Sequence, residues 1–157
     1  MHKVIRCNRK VASPYLREWL PKLKLNLPKD SRIVDLGCGN GRNSKFMLEN
    51  GFSNIRAFDL KGDYGTQVDL SYNGIPLPNK SADFILCNYL LCFMNLKERQ
   101  FLAREIERIS AFDCYLMVEL YSGRQTVSYN ADSILDLFIY WSIEHKKKDR
   151  FILRRLR

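Results

Sequence analysis

Residues 34–44 read V-D-L-G-C-G-N-G-R-N-S, behind the apolar Ile33 and ahead of Lys45-Phe46-Met47-Leu48-Glu49-Asn50. An apolar run, a turn without bulky side chains and a helix-like stretch make a strand, a tight loop and a helix start. Glycines at 37, 39 and 41 tolerate positive φ and let a ligand touch the backbone. The helix N-terminus behind them offers unpaired N–H groups and a partial positive charge to an anionic ligand group. A dinucleotide fingerprint needs G-x-G-x-x-G, its third glycine three places after the second. Here the pattern is D-x-G-x-G-x-G, with Asp35 two places before the first glycine.

That string resembles the first motif of class I S-adenosylmethionine-dependent methyltransferases. The resemblance implies S-adenosylmethionine as cofactor and an α/β fold: a doubly wound, mostly parallel Rossmann-like sheet whose last strand is antiparallel. It implies that Gly37, Cys38, Gly39, Asn40, Gly41 and Asn43 pass under the amino-acid part of the cofactor, with Asp35 helping to hold its ammonium group. The run G-C-G-N-G-R-N-S also resembles the tellurite-resistance branch of that family.

Residues 54–60 read as the second strand, ended by Asp59, 22 places after Gly37 and followed by Leu60. A carboxylate at that strand end accepts from two vicinal ribose hydroxyls at once. Residues 67–70 are a short third strand, where the resemblance implies that Asp69 accepts from the adenine amine and Leu70 packs on the ring. Only residues 61–66 separate these strands, whereas a parallel crossover ordinarily takes a dozen or more residues with a helix. That helix is expected to be missing or reduced to a turn.

Residues 71–81, with Gly74, Pro76 and Pro78, form a loop into a fourth strand at 82–87, an apolar run suited to burial on both faces. Asn88 and Tyr89 fall at its carboxyl end, where open α/β sheets bind ligands. Residues 96–109 make an amphipathic helix, with Phe101, Leu102, Ile106 and Ile109 on one face and Glu98, Arg99, Glu105 and Arg108 on the other. Residues 114–120 make strand five, with Glu119 and Tyr121 at its end. Ile134, Leu135, Phe138 and Ile139 fit a helix capped near Asn130 or Asp132. Residues 141–146 and 150–156 form a hairpin turning at Lys147-Lys148-Asp149, or the helix continues to His145; the strand-like Phe151-Ile152-Leu153 favours the hairpin. Ahead of the first strand, Ser13-Pro14-Tyr15 marks a helix start, with serine as N-cap and proline at the first helical position. Pro21 kinks or ends that helix. The expected organisation is one domain over 1–157, with a helical cap at 1–30 and a cofactor-binding core at 31–157.

The 157 residues suffice for a real core. No stretch approaches the ~20 apolar residues of a membrane span. Lys3, Arg6, Arg9 and Lys10 lack the apolar run of a signal peptide. Cysteines at 7, 38, 87, 92 and 114 are scattered, without C-x-x-C, and the only histidines are His2 and His145. A zinc or disulfide framework is not expected, and a cytoplasmic location is. The net charge of +9 is uneven: +7 over residues 1–32, −4 over 33–145 and +6 over 146–157. Such basic ends attract a polyanion or are simply solvated.

Methyl transfer from a sulfonium is an in-line displacement, so alignment and exclusion of water dominate. Asn88, Tyr89 and Glu119 are the candidate catalytic residues, with Glu119 a base or a salt-bridged strand end and Tyr121 beside them. Amino-group DNA methyltransferases carry [DNS]-P-P-[YFW] after strand four, where this chain has Asn88-Tyr89-Leu90-Leu91. Cytosine C5 enzymes need Pro-Cys, which is absent. Small molecules, protein side chains and RNA remain open as acceptors, and the basic segments suggest an acidic or phosphate-bearing one. So small a chain leaves little protein to enclose a substrate: a partner chain completes the pocket, the acceptor is presented on a larger surface, or the substrate is small. Two rivals stand beside this reading: a non-catalytic cofactor-binding regulatory subunit, and a nicotinamide oxidoreductase, which the glycine spacing disfavours.

Overall fold

The central element is a seven-stranded sheet in the order β3-β2-β1-β4-β5-β7-β6, seen in a computed structural model that describes residues 9–24 and 26–156. The strands are β1 (Ile33–Leu36), β2 (Ile55–Asp59), β3 (Thr66–Gln67), β4 (Ala82–Asn88), β5 (Ser110–Glu119), β6 (Trp141–Lys147) and β7 (Arg150–Arg155). The helices are α1 (Pro14–Leu23), α2 (Arg42–Glu49), α3 (Leu96–Ile109) and α4 (Ala131–Leu135). Strands β1 to β5 pair in parallel, and β7 is antiparallel to both β5 and β6. β6 therefore runs in the same direction as β5. The turn between β6 and β7 accordingly emerges at the carboxyl edge, where Leu120 N–H donates to the Asp149 carbonyl over 2.8 Å. The basic Lys3 and Arg6, like His2 and Cys7, lie outside the described residues.

Alternation along the strands distributes the core. Val34, Ile85, Cys87, Leu116, Val118, Phe151 and Leu153 face α3 and α4. Ile33, Phe84, Leu86, Tyr115, Met117 and Ile152 face α1 and α2. On this period Asp35 and Glu119 fall on the α1/α2 face, so two carboxylates are buried on one side of the sheet. Cys38, Cys87, Cys92 and Cys114 are buried free thiols.

Ser13 caps α1, its Oγ accepting from Leu16 N–H at 3.1 Å, and the helix runs two residues past Pro21. α1 lies on a sheet face rather than across the edge, because Tyr15, Leu16, Leu20 and Leu23 all need burial; only its N-terminal end reaches the carboxyl edge. The β2–β3 connection is a bend without a helix. β3 is only two residues long, so Asp69 and Leu70 lie beyond it in the following turn, not in a strand. The loop over 71–81 has no helix either and is held by the polar face of α3. Arg108 donates to the carbonyls of Leu77 (2.7 Å) and Ile75 (2.8 Å), while Glu105 accepts from Ile75 N–H.

Arg99 departs from its expected exposed position. It is 5% exposed and donates to the carbonyls of Leu91, Val127 and Ser128, which sew the loop after β5 onto α3. Three carbonyl acceptors and a long aliphatic stem make its burial affordable. α4 is shorter than the apolar pattern implied. It stops at Leu135, Phe138 is buried beyond its end against Trp141, and Ile139 faces outward. The hairpin reading of residues 141–155 holds.

Candidate functional site

The carboxyl edge of β1, β2, β4 and β5 opens into a cavity of about 730 Å³. That is within the range of small-molecule sites, roughly 300–1,000 Å³. Its lining includes Gly37, Cys38, Gly39, Asn40 and Asn43 after β1, Asp59 and Leu60 at the end of β2, Asp69 and Leu70 after β3, and Asn88 and Tyr89 at the end of β4. Asp35, Gly41 and Glu119 do not line it.

The alternating glycines do different things. Gly39, at φ +54°, has open space where a Cβ would stand, so its backbone is uncovered there. At Gly41 a Cβ would meet the Tyr64 ring at 2.3 Å. The third glycine therefore makes room for an aromatic side chain of the β2–β3 connection, not for a ligand. Tyr64 carries no motif signal; only the missing crossover helix hints that something else must cover the loop.

Asp59 fixes the loop. Its Oδ2 accepts from Gly39 N–H at 2.9 Å and its Oδ1 from Lys61 N–H at 3.1 Å. Each carboxylate oxygen has further lone pairs, so the group can hold the loop and still accept from a ligand. Asp69 Oδ1 accepts from Ser71 N–H at 3.0 Å and stands at the cavity wall beside the buried Leu70. Asp35 is 2% exposed and accepts from Ser44 Oγ at 2.6 Å near the start of α2. Burial pushes its carboxyl up to about 6, against the opposing pull of the Ser44 hydrogen bond. Burial likewise raises the Cys38 thiol to about 12, which leaves it unreactive.

A strap over residues 9–13 escaped the sequence reading. Asn40 Nδ2 donates to the Arg9 carbonyl at 2.8 Å, and an Arg42 terminal nitrogen donates to the Val11 carbonyl at 3.0 Å. Asn43 Oδ1 accepts from Ser13 N–H at 2.9 Å. Three side chains of the glycine loop and α2 thus tie the chain ahead of α1 across the cavity, bringing Arg9 to its wall.

Just after β4, Tyr89 has φ +58°, a conformation costly for a non-glycine residue. Its N–H donates to the Glu119 carbonyl at 2.7 Å, and Arg42 lies over its ring at 5.9 Å. Asn88 is 6% exposed, and its Oδ1 has no hydrogen-bond partner among the described residues. Glu119 is fully buried. Arg150 Nε stands 3.5 Å from its Oε1, and burial holds its carboxyl above the usual carboxylate range. Ser13 and Tyr89 border that carboxylate without closing a hydrogen bond of standard geometry.

This is a crevice at the carboxyl edge of an open α/β sheet, with the carboxylates of Asp59 and Asp69 in its wall. A family model described as a methyltransferase domain matches residues 8–148. The chain belongs to the class I S-adenosylmethionine-dependent methyltransferase family. No curated protein matches its sequence. Among solved structures it is similar to a putative type 11 methyltransferase from Sulfolobus solfataricus, at 20% identity and TM-score 0.68, over 90% of this chain and 92% of that one. It is also similar to 1,6-didemethyltoxoflavin-N1-methyltransferase from Burkholderia thailandensis, crystallised with its substrate and S-adenosylhomocysteine. That pair shares 13% identity at TM-score 0.71, over 92% of this chain and 79% of that one. A TehB-like methyltransferase from Corynebacterium glutamicum shares 17% identity at TM-score 0.65, covering 89% and 92% of the two chains.

The residues present fit the family's methyl donor. Gly39 offers the uncovered backbone, Asp59 and Asp69 offer acceptors for hydroxyl and amine groups, and Asn88 Oδ1 is a buried acceptor awaiting a donor. Among the described residues no helix is long and apolar enough to cross a membrane.

Proposed function

We propose that this cavity binds S-adenosylmethionine and that the chain transfers its methyl group to an anionic acceptor. Gly37, Cys38, Gly39 and Asn40 cradle the amino-acid part of the donor, and Arg9 on the strap meets its carboxylate. Asp59 accepts from the ribose hydroxyls, with Leu60 beside it; Asp69 accepts from the adenine amine and Leu70 packs on the ring. Asn43 acts through the strap it holds. Asp35, behind the loop, acts as a buried negative charge favouring the ammonium group. The observation that carries this reading is the open Cβ position at Gly39 together with the Asp59 carboxylate that accepts from the N–H of the same residue.

The bound donor supplies an electrophilic methyl on a sulfonium. Asn88 and Tyr89 hold the acceptor in line, Asn88 by its unpaired Oδ1 and Tyr89 by its ring. Glu119 touches neither partner; it positions Arg150 and Tyr89 from below. The acceptor's negative charge is supported by Arg42 and Arg150 in the cavity wall and the lysine-rich turn at the same edge. The chain is a catalyst rather than a regulatory subunit on this reading, because Asn88 and Tyr89 present polar and strained features that binding the donor alone does not require.

Calorimetric titration is expected to show binding of S-adenosylmethionine and none of NAD. Labelled donor mixed with fractionated cell extract is expected to label molecules retained by an anion exchanger. Binding without any labelled product would favour the regulatory reading; label confined to neutral or cationic molecules would remove the anionic acceptor.

A further inference from the structure

Arg150 and Glu119 face each other in register across β5 and β7. Glu119 is fully buried with neither carboxylate oxygen hydrogen-bonded among the described residues, and Arg150 Nε at 3.5 Å is its ion-pair partner. A buried carboxylate needs a counter-charge, and Arg150 supplies it as the ion-pair partner, with Arg42 as a second nearby cation. Its side chain is nevertheless 41% exposed and forms part of the cavity wall. The guanidinium's donors form a planar fork that matches a carboxylate or phosphate bidentately, and Tyr89 lies close enough to interact with it. Tyr89 and Tyr121 line the cavity after β4 and β5, whereas the carboxylates of Asp59 and Asp69 line it after β2 and β3, on the other side of β1 in the sheet.

Resting on the donor-site reading above, we infer that Arg150 is the anchor for the anionic group of the methyl acceptor, and that Glu119 is the positioning residue that aims it. A ligand carboxylate or phosphate docks on the outer edge of the guanidinium, the buried carboxylate holds the inner edge, and the acceptor's body lies against Tyr89 and Tyr121. Recognition of this kind selects small acids or phosphate esters that enter the cavity, and Arg150 is its specificity determinant.

Replacing Arg150 alone would strand Glu119 as an uncompensated buried charge, so the test uses the Glu119→Gln background. Both E119Q and the double variant E119Q/R150A are saturated with S-adenosylhomocysteine, and its affinity is checked by calorimetry. Thermal unfolding is then followed with inorganic phosphate, benzoate or ionic-strength-matched sodium chloride at about 10 mM. For E119Q we expect at least one of the two anions to raise Tm by about 3 °C over chloride. The responsive anion tells phosphate from carboxylate. The double variant is expected to lose that rise while binding S-adenosylhomocysteine within about twofold of E119Q, and E119Q/R150K to lose most of it. A rise that survives in E119Q/R150A, or no rise with either anion in E119Q, overturns the anchor. A large loss of S-adenosylhomocysteine affinity on removing Arg150 also overturns it, by assigning the guanidinium to the donor. Failure of E119Q and the unaltered chain alike to bind S-adenosylhomocysteine would instead bring down the donor site itself.

Discussion

Beside β1 and β2 the polar groups of the cavity are tied to the protein: Asp59 to Gly39 and Lys61, Asn40 to Arg9, Asn43 to Ser13, with Asp35 held behind the loop by Ser44. Beside β4 and β5 they are not. Asn88 Oδ1 lacks a hydrogen-bond partner among the described residues. One end is organised before any ligand arrives, and the other is left for a ligand to complete. Preorganised groups lose little on binding, whereas unpaired buried groups make a site selective for the molecule that satisfies them.

The largest expected effect probes the organised end. Asp35 has a folded-state pKa near 6, raised by burial from 3.8. The folded state therefore binds its proton more tightly than the unfolded chain. The contribution of this group to stability is fully present below about pH 4 and is lost as pH rises through 6. Asp35→Asn keeps an acceptor for Ser44 but buries no charge. It should be more stable at pH 8, by on the order of 3 kcal/mol, and should lose part of the pH 4–6 slope while binding the donor more weakly. Urea unfolding across that pH range, with a donor titration, checks this; an unchanged slope would mean the carboxylate is not buried as described.

The next comparison is between two glycines. Gly41→Ala drives a Cβ into the Tyr64 ring and should cost about 2 kcal/mol of stability. Gly39→Ala meets open space and should cost about 1 kcal/mol, from its positive φ alone, while donor affinity falls about tenfold or more. Thermal unfolding paired with calorimetry separates them. Equal stability losses with equal affinity losses would erase the distinction between a packing glycine and a ligand glycine.

The smallest effect concerns the strap. Ser13→Ala removes the α1 N-cap at a cost of about 1 kcal/mol. Its backbone bond to Asn43 persists, so donor affinity should change less than threefold. A larger affinity loss would show that the strap is less firmly held than Asn40, Arg42 and Asn43 imply.

The same asymmetry explains what could be read from the chain. The parallel strands, α3 and the final hairpin follow from apolar runs and helical spacing, and the glycine loop with Asp59 follows from a local string of residues. Gly39 and Asp59 are adjacent because β1 and β2 pair in register, which a motif encodes. Arg150 meets Glu119 only through the antiparallel return of β7, and no short-range spacing records that. Arg99 reads as a surface charge until the carbonyls of Leu91, Val127 and Ser128 surround it. Tyr64 covers Gly41 because a crossover helix is missing, and the sequence showed the gap without showing what fills it. The strap is held by hydrogen bonds to backbone groups, which leave no trace in residue type.

The claim on which the rest depends is tested most directly by a crystal structure with S-adenosylhomocysteine. The account predicts ligand density against the backbone of Gly39, the ribose hydroxyls on Asp59 and the homocysteine carboxylate toward Arg9. Density elsewhere, or an empty crevice under saturating ligand with Asp59 still bound only to Gly39 and Lys61, would contradict it.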